Sequence, residues 1–130
     1  MNNVSQKQEK IYFGLDISQK TIEIFALKGE KGVSFGKILN NQKSLNDFFD
    51  KVPFPSKIIT VALETGTHSA WISHLLEARG YEVLVAHARD LAFIYKGDKK
   101  SDRIDAEKLA RVANADKKLL HPVKLMVVKQ

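Results

Sequence analysis

The sequence predicts an α/β domain with a mixed five-stranded sheet flanked by helices. Three observations predict it. Residues 11–39 hold three extended apolar or alternating segments joined by turns too short for a helix, which is the pattern of an antiparallel meander. Two further β-rich segments then alternate with helical patterns, which is the pattern of parallel strands. Finally, the 130 residues are 44% hydrophobic and 28% charged, enough for one domain with its own core.

The elements follow in order. Residues 1–10, MNNVSQKQEK, are polar and read as a flexible tail. IYFGLDI is a continuous apolar run ending near Asp16 and reads as a buried strand. TIEIFALKG alternates, with Ile22, Ile24 and Ala26 on one face and Thr21, Glu23, Phe25 and Leu27 on the other. The stretch from Gly29 to Gly32 is a turn, and VSFGKIL is a third, shorter strand. Between Asn41 and Lys51, Leu45, Phe48 and Phe49 recur at helical spacing, with Asn41 or Ser44 as the cap. VPFPS is a loop because its prolines break regular structure. KIITVALE is β-branched and apolar on both faces, so it reads as an interior strand. Ser69 to Arg79 is an amphipathic helix with Trp71, Ile72, Leu75 and Leu76 as its stripe, and Gly80 ends it. YEVLVA is the fifth strand. ARDLAFIYKG and SDRIDAEKLARVANA read as helices, and the tail LLHPVKLMVVKQ holds one more extended segment.

Composition narrows the function. There are no cysteines, which excludes a disulfide framework, a thiolate zinc site, an iron–sulfur cluster and a cysteine nucleophile. No apolar run approaches the roughly 20 residues of a membrane span, and the N-terminus lacks the apolar core of a signal peptide, so the expected location is the cytoplasm. A net charge of +6 points to a polyanionic partner.

Four carboxylates stand at the ends of elements. Asp16 closes the first strand, Glu64 closes the fourth, and Asp102 and Asp105 open the last helix. At helical spacing the last pair shares a face with Ala106, Leu109, Val112 and Ala113, whereas Arg103, Glu107 and Arg111 point away. Carboxylates on an apolar face are costly unless a cation joins them. Each acid also has a plain structural explanation: a helix cap, an Asx turn, or a charge favouring a helix start. Taken together, oxygen ligands from separate elements suit Mg²⁺ or Mn²⁺, and such ions serve phosphodiester cleavage. Lys96, Lys99, Lys100 and Arg103 precede the acidic helix and form a candidate site for nucleic-acid phosphates. The four histidines show no metal-ligand spacing and read as incidental. There is no phosphate-binding glycine motif, and the turn after Asp16 lacks the glycines that an actin-like kinase would need there.

At these residues a resemblance is clear. FGLDISQKTIEIFAL, VALETGTHSAWISHLLEARGYEVLVAHARDLAFIYKG and KKSDRIDAEKLARVA resemble successive blocks of the DEDD transposase family of the insertion-sequence-110 type, which includes the Piv-like DNA invertases. The blocks keep the family's order and spacing, and the SDRIDA block is the most specific. Ser101 stands where the family usually has threonine.

The resemblance implies an RNase H-like (RuvC-like) fold. It implies that Asp16, Glu64, Asp102 and Asp105 are catalytic and bind divalent metal, Mg²⁺ or Mn²⁺, for DNA strand cleavage and exchange. The implied partners are DNA, a structured guide RNA in some members, and sister subunits in the full-length protein, in bacterial or archaeal cytoplasm. Family members continue into a C-terminal domain with a serine implicated in strand exchange. The expected division is therefore a tail over 1–10 and an RNase H-like domain over 11–130, without that second domain. Full recombination by these residues alone is not expected. The competing expectation is an inert nucleic-acid-binding or assembly module.

Overall fold

The computed structural model describes residues 9–87 and 105–115. The strands are β1 (Ile11–Ile17), β2 (Thr21–Lys28), β3 (Lys31–Leu39), β4 (Ile59–Glu64) and β5 (Glu82–Ala86). The helices are α1 (Gln42–Asp50), α2 (Ser69–Ala78) and α3 (Ala106–Ala115), with a 3-10 turn at Ser56–Ile58 after the proline-containing loop. The helix expected over 88–97, the extended segment at the C-terminus, and Lys96, Lys99, Lys100, Asp102 and Arg103 lie outside the described residues. No helix among the described residues is long and apolar enough to cross a membrane.

The five strands form one sheet in the order β3-β2-β1-β4-β5. β1 pairs antiparallel with β2, and β2 with β3, whereas β4 runs parallel to both β1 and β5. The expected meander and the expected parallel half are both present. The parallel connections are made through α1 and α2, as the geometry of a crossover requires.

Alternation along the strands separates two cores. Phe13, Leu15, Ile22, Ile24, Val61, Leu63 and Val85 face α1 and α2, where they meet Leu45, Phe49, Ile72 and Leu76. Aromatic rings interlock there: Phe13 and Phe49 pack edge-on with centroids 5.2 Å apart, and Phe49 lies 5.2 Å from Tyr81. The opposite face carries Tyr12, Ala62, Leu84 and Ala86, covered by Leu109, Val112 and Ala113 of α3. Small residues on this side let α3 lie close to the sheet.

The helix ends follow from local chemistry. The Asn41 side chain accepts from the Ser44 amide at 2.7 Å, so Asn41 and not Ser44 is the cap of α1. At the end of α2, Gly80 takes φ 91°, its amide donates to the Glu77 carbonyl, and the Tyr81 amide donates to the Leu76 carbonyl. That paired closure needs a left-handed residue, which glycine adopts without a Cβ clash. Arg79 then ties α2 to α1, donating to Asn46 Oδ1 and Asp50 Oδ1, both at 2.9 Å.

Two expectations need correction, for β3 and for the last helix. β3 is the longest strand and not a shorter one, because the β2–β3 turn is only Gly29-Glu30 and the pairing runs from Lys28–Lys31 to Thr21–Leu39. In α2 the expected stripe is present, with Ile72 and Leu76 buried and Trp71 and Leu75 half-buried against the same core, and Ser69 and Ser73 add two further buried positions. Finally, the last helix does not include Asp105. α3 begins at Ala106, and Asp105 precedes it as a cap.

Candidate active site at the ends of β1 and β4

Asp16 and Glu64 come together through strand register. β1 and β4 are parallel, with Leu15 opposite Leu63. Each acid stands one residue further along. Alternation puts both on the α3 side of the sheet, since Gly14 and Ala62 two residues earlier face α3. Both side chains are half-buried, and both residues line a cleft of about 350 Å³. Its other walls are the β1–β2 hairpin (Ser18 and Gln19) and the segment from Thr65 to Ser69 at the start of α2. Open sheets place their sites in this way, beyond the carboxyl ends of parallel strands.

Both walls are held by hydrogen bonds. Ser18 Oγ donates to the Thr21 carbonyl at 3.0 Å, and the Ser18 carbonyl accepts from Asn40 Nδ2 at 2.7 Å. Asn40, just past the end of β3, thereby ties to the hairpin. On the other wall, the Thr65 amide donates to the Ala86 carbonyl at 2.8 Å, and Ser69 Oγ donates to the Gly66 carbonyl at 2.9 Å.

Asp105 reaches the same face of the sheet by a different route. Its Oδ1 accepts from the Lys108 amide at 2.9 Å, and its carbonyl accepts from the Leu109 amide at 3.0 Å. It is the N-cap of α3. The next residue, Ala106, packs its carbonyl against Gly14 of β1, two residues before Asp16. The helix start and the acidic strand end are thus brought to one region, although Asp105 does not line the cleft with Asp16 and Glu64. Among the described residues, no three His, Cys, Asp or Glu side chains form a group that could hold a metal ion. Asp102 lies outside those residues.

One further residue in the cleft reads as incidental from sequence. His68 lines it, and its Nδ1 accepts a hydrogen bond from Trp71 Nε1 at 3.1 Å. The available signal was the spacing: His68 stands at the N-cap of α2 and Trp71 one turn on.

A family model for DEDD transposases of the insertion-sequence-110 type, described as a transposase, matches residues 13–127. Among curated proteins no match is found. The matched range runs from the third residue of β1 through α3 and takes in all four candidate acids, and the mixed sheet agrees with the RNase H-like fold of that family. By its sequence match over most of its length and by its fold, the chain belongs to the DEDD transposases of the insertion-sequence-110 type.

Proposed function

We propose that this domain is the metal-dependent catalytic part of the transposase, cleaving and exchanging DNA strands. Asp16, Glu64, Asp102 and Asp105 would hold Mg²⁺ or Mn²⁺. The observation that carries the proposal is the placement of Asp16 and Glu64, two carboxylates from adjacent parallel strands that share one cleft. Their all-oxygen chemistry fits hard divalent cations. Capping occupies Asp105 Oδ1, and a carboxylate has a second oxygen that can serve as a ligand.

When bound, the metal would supply Lewis acidity and an activated oxygen nucleophile. The chain's own residues do the rest. The two strands fix Asp16 and Glu64 on a rigid sheet. The Ser18–Asn40 bond and the Ser69–Gly66 bond hold the two walls around the phosphodiester. Lys96, Lys99, Lys100 and Arg103 would neutralise backbone phosphates beside the acids. A structured guide RNA is a second partner for the same basic residues, by the family resemblance.

The alternative is a nucleic-acid-binding or assembly module without catalysis of its own. The capping role of Asp105 favours it, since the Lys108 amide already engages Oδ1 of that carboxylate. Calorimetric titration of Mn²⁺ into the wild-type chain, Glu64→Gln and Asp105→Asn, with and without a short branched DNA, separates the two. Metal binding that disappears in both variants supports catalysis. DNA binding indifferent to metal, chelator and both substitutions supports the module.

A further inference from the structure

The cleft contains two acids and several hydroxyls, and the two serine hydroxyls are committed to backbone carbonyls. Ser18 Oγ donates to the Thr21 carbonyl, and Ser69 Oγ donates to the Gly66 carbonyl. A phosphodiester entering beside two carboxylates needs a donor as well as a cation. His68 is half-buried on the cleft wall. Its ring is fixed by Trp71, which meets it edge-on with centroids 6.3 Å apart and donates from Nε1 to Nδ1.

The direction of that bond is decisive. Indole N–H is only a donor, so Nδ1 must accept. The neutral ring therefore carries its proton on Nε2. A protonated Nε2 has no lone pair and cannot ligate a metal. His68 consequently stands beside the acids as a hydrogen-bond donor and not as a fifth metal ligand. A histidine that ligates through Nε2 shows the reverse pattern, with its other nitrogen donating to a carboxylate or carbonyl.

We propose that His68 contacts the nucleic-acid backbone in this cleft, donating from Nε2–H to a non-bridging phosphate oxygen. Trp71 is its positioning residue. The proposal rests on the reading of the cleft as the nucleic-acid site, and it adds a recognition element distinct from the four acids and the basic segment.

The test combines three measurements on the 130-residue chain. Two-bond ¹H–¹⁵N correlation spectra report the tautomer of His68. Anisotropy with a labelled short branched DNA, in Ca²⁺, reports backbone binding. Mn²⁺ calorimetry reports the acids. The Nε2-protonated tautomer is expected in the wild type and is perturbed in Trp71→Phe. His68→Ala should weaken DNA binding about tenfold, as for loss of a hydrogen bond to a charged group, with Mn²⁺ affinity unchanged. His68→Gln, which keeps an N–H at similar reach, should recover most of that loss. Trp71→Phe should lose about threefold, through the ring it no longer holds.

Wild-type DNA affinity in His68→Ala would overturn the proposal. So would loss of Mn²⁺ binding in that variant, which would make His68 a ligand, or an Nδ1-protonated tautomer in the wild type. If Asp16→Asn and Glu64→Gln leave Mn²⁺ binding unchanged, the metal reading of the cleft fails by itself. The DNA measurement on His68→Ala then still decides the histidine.

Discussion

Gly14 of β1 lies directly under the carbonyl of Ala106, so that a Cβ at position 14 would meet the backbone of α3 at both Ala106 and Ala110. This contact sets how closely α3 approaches the sheet. It also sets where Asp105 stands relative to Asp16. Backbone at such a contact cannot step aside as the end of a flexible side chain can. Gly14→Ala should therefore push α3 outward and cost about 2 kcal/mol, the usual scale of overpacking. Chemical denaturation measures the cost. Mn²⁺ affinity measured on the folded fraction should fall too, if Asp105 serves the metal.

Asp105 has two separable roles. As the cap of α3 it satisfies the Lys108 amide, a function that asparagine performs as well as aspartate. Asp105→Ala should cost about 1 kcal/mol of stability. Asp105→Asn should leave stability nearly unchanged while removing the charge. Thermal melts and Mn²⁺ calorimetry on the two variants therefore separate the cap from the metal ligand. Equal Mn²⁺ affinity in wild type and Asp105→Asn would restrict the residue to capping.

Arg79 provides a control remote from the cleft. It joins α1 and α2 through Asn46 and Asp50, and its Nε donates to the Tyr81 hydroxyl at 3.2 Å. Arg79→Ala should cost about 1–2 kcal/mol. Arg79→Lys should recover little, because an ammonium cannot reproduce the planar fork. Asp50→Ala should cost less than about 1 kcal/mol, since Asp50 is largely exposed. Neither metal nor DNA affinity should change, and urea titrations with parallel binding assays check both points.

The basic segment makes a prediction in salt. If Lys96, Lys99, Lys100 and Arg103 neutralise phosphates, duplex DNA affinity should fall steeply with salt. Each alanine substitution should then reduce the slope of log affinity against log salt by about 0.9. Slopes unchanged by the substitutions would remove these residues from the interface.

What the sequence alone determined is the local pattern. Alternation in TIEIFALK placed Ile22, Ile24 and Ala26 on the main core, where they lie. The apolar runs at residues 11–17 and 59–64 read as interior strands because burial on both faces tolerates no polar interruption. Gly80 and Asn41 marked helix ends through backbone freedom and side-chain capping, which are short-range effects. The acids Asp16 and Glu64 stand out as candidates by their positions at strand ends.

Only the tertiary structure decided what those positions mean. Asp16 and Glu64 share a cleft because β1 and β4 pair in parallel at one register, a contact between segments far apart in the chain. Periodicity put Asp105 on the buried face of a longer helix, but a cap and a first-turn residue have the same spacing in sequence. The hydrogen bond to Lys108 and the packing of Ala106 on Gly14 separate them. His68 reads as incidental in sequence because a histidine's role depends on which nitrogen is engaged. Only its geometry against Trp71 and the cleft wall shows that.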